Sequence, residues 1–96
     1  MIVIDTSVAV AALLGQSSAR SALLGQRLVA PHLIDAEVAQ AIRGLVQGRQ
    51  LTIEQGRETV AAWSRLAVDR LPMNPLLPRV WELRDNLTAY DAMFIA

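Results

Sequence analysis

"MIVIDTSVAV" (residues 1–10) runs β-branched apolar residues straight into an aspartate, then two hydroxyls, then a small-residue apolar stretch. A short unbroken run of Ile and Val reads as a buried strand of the kind a parallel sheet uses. The puzzle is the acid at its end, Asp5. A polar group left without a partner in apolar surroundings costs roughly 2–7 kcal/mol, so Asp5 needs a partner, as a helix cap or as a ligand. In open parallel sheets ligands gather beyond the carboxyl ends of the strands, and Asp5 stands at such an end.

Downstream, short strands alternate with pairs of helices. The strand over 1–5 is followed by a helix capped by Thr6 or Ser7, running to Leu14 and stopped by Gly15. Ser17 or Ser18 caps a second helix that ends near Gly25. "ALLGQ" occurs at 12–16 and again at 22–26, which is two helices sharing a glycine stop rather than a repeat architecture. "RLVAP" (27–31) is the second strand. Asp35 is placed as the N-cap of a third helix with Val38, Ile42 and Leu45 as its apolar stripe. Thr52 caps a fourth, with Ile53, Val60, Trp63 and Ala67 on one face. "DRLPM" (69–73) is the third strand, and Pro72, which has no N–H to donate, assigns it to an edge. "NPLLPRVWELRDN" (74–86) forms a helix with Leu76, Val80 and Leu83 on one side, and Thr88 starts another. The order β-α-α-β-α-α-β-α-α implies an α/β domain over 1–96 with parallel strands and right-handed crossovers. Three strands make a thin sheet, and the last helix reaches Ala96 without a cap, so the sheet is expected to be incomplete.

Composition narrows the chemistry. With 96 residues, 53% hydrophobic, and a mean hydropathy of +0.33, the chain carries one modest core and is not disordered. Its formal net charge is zero, so no basic field advertises nucleic acid. All nine cations are Arg; the absence of Lys excludes P-loop and Schiff-base chemistry, and the absence of Cys excludes disulfides and thiolate sites. "VAVAALLGQSSA" is rejected as a signal peptide because no cation precedes it and Asp5 interrupts the apolar run. No apolar stretch nears 18 residues. A soluble cytoplasmic protein is expected.

Two more acids stand out. Glu37 lies in the first turn of its helix, on a face with Ile34, Ala41 and Gly44. Asp91 lies in "AYDAMFIA", a segment apolar nearly all round, and is expected to point into the protein. Each has a plain structural alternative. Asp5 can cap a helix, Glu37 can complement a helix dipole, and Thr88-Ala-Tyr-Asp91 has capping-box spacing. As a set they say more. Two carboxylates 4 Å apart repel by about 4 kcal/mol at an effective dielectric of 20. A divalent cation removes that penalty, and oxygen ligands without His or Cys favour Mg²⁺ or Mn²⁺ over Zn²⁺.

"MIVIDTS", "PHLIDAEVAQAIRGL" and "LTAYDAMFIA", in this order, resemble the PIN-domain ribonucleases, and within them the VapC toxins of bacterial toxin–antitoxin pairs. The resemblance implies a three-layer α/β/α fold with strand order 3-2-1-4-5. It also implies metal-dependent cleavage of RNA phosphodiester bonds by Asp5, Glu37 and Asp91, holding Mg²⁺ or Mn²⁺. Thr6 or Ser7 would support the site, and the partners would be RNA, a VapB-like antitoxin and a second copy of the chain. This sequence departs from the family at its end, where a fourth strand, a fourth acid and a last strand and helix are missing. The alternative is therefore a catalytically impaired PIN-like module that binds an antitoxin or a sister subunit. His32 is read as a surface residue, Trp63 and Trp81 as packing residues, and Arg43 and Arg49 as a solvated face able to position phosphate.

Overall fold

A computed structural model describes residues 1–86, 88, 91 and 92. The elements are β1 (Ile2–Val3), α1 (Thr6–Leu13), α2 (Ser17–Leu23), β2 (Leu28–Pro31), α3 (Ile34–Gln47), α4 (Ile53–Arg65), β3 (Val68–Leu71), a 3-10 turn over Asn74–Leu76 and α5 (Leu77–Glu82). All three strands are parallel, in the order β1-β2-β3, with Ile2 opposite Leu28 and Leu28 opposite Val68. The expected α/β parallel architecture holds, and β3 lies at an edge as expected, but it ends at Leu71, so Pro72 stands just past the strand and not within its ladder.

One sheet face carries the core. Ile4, Leu28, Ala30 and Val68 pack there with Ala9 of α1, Ile34, Val38 and Ile42 of α3 and Trp63 of α4. The α3 stripe is the one its periodicity gives. On the other face Val29 is 3% exposed, but Val3 and Leu71 are 56% and 43% exposed. A second, smaller cluster joins Val80 and Ala92, with Leu33, Met73, Leu76 and Leu83 against it.

Several boundaries differ from expectation. α1 is capped by Asp5, whose side chain accepts the Val8 N–H, and not by Thr6 or Ser7. α2 begins after Gln16 with no side-chain cap. Gly15 (φ 90°) and Gly25 (φ 72°) end the two helices in the left-handed region, as a glycine stop requires. Thr52 and Gln55 form a full capping box on α4. Ile53 and Val60, expected inward, are 74% and 40% exposed, because α4 meets α3 through Gly56. The helix expected over 74–86 is a 3-10 turn and a short α-helix, ending at Glu82. Leu87, Tyr90 and the apolar run 93–96 of the last expected helix lie outside the described residues. Among the described residues no helix is long and apolar enough to cross a membrane.

Candidate active site

Asp5 sits where β1 gives way to α1, in extended conformation. Its Oδ1 accepts the Val8 N–H at 2.9 Å and the Ser7 hydroxyl at 2.9 Å. The carboxylate is exposed, so cap and water together offset its desolvation. The Ser7 hydroxyl thus holds one oxygen of the Asp5 carboxylate. Thr6, half-buried at the first position of α1, makes no such bond among the described residues. Oδ2 of Asp5 has no hydrogen-bond partner among the described residues.

Glu37 is half-buried in the first turn of α3, its N–H donating to the Leu33 carbonyl at 3.1 Å. Its carboxylate has no hydrogen-bond or ion-pair partner among the described residues. Negative charge here is favoured by the helix dipole.

Asp91 departs from expectation, because it is exposed. Its neighbour Ala92 takes the inward position against Val80 and is 0% exposed, which turns Asp91, one helical step away, toward solvent. The Thr88 hydroxyl accepts the Asp91 N–H at 3.2 Å and the Thr88 carbonyl accepts the Ala92 N–H at 2.9 Å, so Thr88 caps this turn as its spacing suggests.

Among the described residues, no three His, Asp or Glu side chains gather closely enough to hold one ion. Asp5, Glu37 and Asp91 therefore do not form a ready-made cage. Magnesium, however, is commonly held by only one or two carboxylates, with waters and substrate phosphates completing its shell. The free Oδ2 of Asp5 and the unpartnered carboxylate of Glu37 suit such a hard cation.

A fourth acid, Asp35, has a role other than the cap its position suggests. Asp35 is not the N-cap of α3; that position is Leu33, which offers no side-chain bond. Asp35 instead accepts two guanidinium donors of Arg70 and the Trp63 indole N–H. Arg70 holds the Asp35 carboxyl below its ordinary range, against the opposing effect of burial, and the Trp63 N–H adds to the lowering. Nothing local in the sequence marks this trio, whose members lie on three elements. His32 is exposed, as are Arg43 and Arg49. Trp63 is buried in the core, whereas Trp81 is 68% exposed, with the Arg84 guanidinium 4.5 Å from its ring centre, so of the core or interface packing expected of it the core half does not hold.

The PIN domain family model matches residues 2–96. The VapC ribonuclease Mb0985 of Mycobacterium bovis is 47% identical over 96 residues, covering 100% of this chain and 76% of the relative. The chain belongs to the VapC family of PIN domains. Ribonuclease VapC9 of Mycobacterium tuberculosis matches this VapC-family chain at 47% identity with the same coverage. Ribonuclease VapC1 of the same species is 37% identical over 99 residues, covering 98% of the chain and 74% of the relative. The β1-β2-β3 order also agrees with the first three strands of the arrangement the resemblance implied.

Proposed function

We propose that this VapC-family chain is an endoribonuclease that depends on Mg²⁺ or Mn²⁺, the toxin of a VapBC-type pair, acting in the cytoplasm as a homodimer restrained by a VapB-like antitoxin. Its relatives are named as ribonucleases. The observation that carries the reading is Asp5, fixed at the carboxyl end of β1 with one oxygen committed to Val8 and Ser7 and the other unengaged. In this reading Asp5 and Asp91 would hold the ion and Glu37 would bind it directly or through a water, with waters of the ion's shell spanning the spread that keeps the three acids from forming a ready-made cage. When bound, the ion supplies a water of lowered pKa and stabilises charge on the scissile phosphate. The residues do the rest. Ser7 and the Val8 N–H hold the Asp5 carboxylate in one orientation, and Glu37 has a free carboxylate to accept the proton of an attacking water. Arg43 and Arg49, both exposed, are available to position phosphate. The test is cleavage of structured RNA by the purified chain with Mg²⁺ or Mn²⁺, expected to be abolished by Asp5→Ala. Cutting that needs no metal, or that survives this change, would refute the reading.

The exposure of Asp91 and the absence of a three-acid cluster among the described residues favour a second reading, a PIN-like module that binds a partner without cutting RNA. Calorimetry separates the two. Binding of Mn²⁺ in the millimolar range or tighter supports the nuclease; no heat at millimolar metal supports the module.

A further inference from the structure

We infer that Asp35, Arg70 and Trp63 form a brace that positions Glu37, an inference that rests on the nuclease reading above. The Asp35 Oδ1 accepts Arg70 Nη2 at 2.8 Å, Arg70 Nε at 3.1 Å and Trp63 Nε1 at 2.8 Å, and Oδ2 accepts Arg70 Nε at 2.9 Å. Arg70 Nη1 also donates to the Val68 carbonyl at 2.8 Å, and the guanidinium carbon lies 5.5 Å from the Trp63 ring centre. The start of α3 is thereby tied to both α4 and β3.

This tie matters because, among the described residues, the other directional tether near the helix start is a single backbone bond, from the His32 N–H to the Leu71 carbonyl at 3.1 Å, and it lies ahead of the helix and leaves its roll unset. α3 has no side-chain cap, and the first-turn backbone bonds are ordinary ones from Asp35 to His32 and from Glu37 to Leu33. At about 100° per residue, Asp35 and Glu37 lie on opposite flanks of the stripe made by Ile34 and Val38. Those two buried residues hold the helix against the sheet, but apolar contact is not directional and tolerates roll about the axis. A forked charge-assisted pair is directional. Holding one flank sets the roll, and the roll sets where Glu37 points on the other. As a stability device the pair counts for little, since its side chains are 23% and 46% exposed.

The test uses Arg70→Lys, Asp35→Asn and Trp63→Phe in the full chain. The readouts are RNA cleavage at varied Mn²⁺, calorimetric Mn²⁺ titration, and Tm to confirm that each variant is folded at the assay temperature. Arg70→Lys keeps the charge but cannot span both Asp35 oxygens and the Val68 carbonyl. The expected result is a kcat about tenfold lower, with KM for RNA unchanged and Mn²⁺ affinity weakened about tenfold by calorimetry. The Asp35→Asn/Arg70→Lys double variant should be no worse than the weaker single one. Folded variants with wild-type kcat and Mn²⁺ affinity overturn the brace. If Asp35→Asn does not fold, the other two substitutions decide. A wild-type chain that cuts no RNA with either metal ends the nuclease reading and the brace together, whereas an active wild type beside unaffected variants ends the brace alone.

Discussion

The carboxylate of Asp5 both caps α1 and stands at the strand end, and two substitutions separate these roles. Asp5→Ala loses the bond to the Val8 N–H and should lower stability by about 1 kcal/mol. Asp5→Ser keeps a capping oxygen and should lie within about 0.5 kcal/mol of wild type, because Ser and Asp cap comparably. Both should abolish metal-dependent cleavage, and urea denaturation beside an RNA assay reads the two effects independently. Retained cleavage in the Ser variant would reduce Asp5 to a cap. Asp35 gives a pH prediction. Its pKa is depressed on folding, chiefly by Arg70, so its contribution is complete above the unfolded value of about 3.9 and is lost as pH falls through the lower folded value. Asp35→Asn lacks this contribution at every pH. The Tm gap between wild type and Asp35→Asn should therefore be widest near neutrality and shrink as pH falls through the lowered folded value; an equal gap at both ends would show that the ion pair contributes nothing. Asp5 was legible because an acid ending an apolar run is a local contradiction. The bond of Asp35 to Arg70 is invisible in the sequence because its partner lies 35 residues away, and an aspartate at a helix start already has a sufficient local explanation.

The α3–α4 pair shows what periodicity conveys and what it misses. It gives the α3 stripe of Val38 and Ile42, both buried, because that helix packs with large apolar side chains. On α4 it gives Trp63, which is buried, but it misses Gly56 and wrongly turns Ile53 and Val60 inward. A glycine adds nothing to an apolar pattern, yet it lets two backbones approach, and Ile53 and Val60 are left lining an open groove of about 400 Å³ with Ile42 and Val46. A Cβ on Gly56 would lie 2.6 Å from Val46 Cγ2. Valine in a helix has one strongly preferred rotamer and cannot swing clear. Gly56→Ala gains roughly 1 kcal/mol of helix propensity but incurs an overpacking cost of about 1–3 kcal/mol. The expected net effect is a loss of up to about 2 kcal/mol, measured by urea denaturation, and Val46→Ala in the Gly56→Ala background should restore most of it. A stabilised single variant would mean that the helices part without cost and that this contact does not set their spacing.

At the scale of the molecule, parallel pairing was legible because helices separate each strand from the next, whereas the order β1-β2-β3 was implied by the family resemblance and not by the order of the chain. Charge distribution was legible only as a sum. Nine cations and nine acids cancel in the sequence, but the fold decides which remain available. Arg27, Arg57, Arg70 and Arg79 are engaged by Asp69, Glu54, Asp35 and Glu82. Arg20 donates to the Ala12 carbonyl, and Arg84 to the Trp81 carbonyl. Arg43, Arg49 and Arg65 are exposed and have no carboxylate partner among the described residues. An RNA that binds this chain can therefore release few counterions. For single strands the slope of log K against log salt is about −0.7 per phosphate neutralised, so one to three contacts predict a slope between about −0.7 and −2. Filter binding of a single-stranded RNA to the Asp5→Ala chain, from 50 to 200 mM KCl, measures this without cleavage. If Arg43 contacts a phosphate, Arg43→Gln should flatten the slope by about 0.7 and weaken binding alike for unrelated sequences. A slope steeper than about −4 would require more free cations than the described fold offers, and would mean that a second copy or a partner completes the RNA surface.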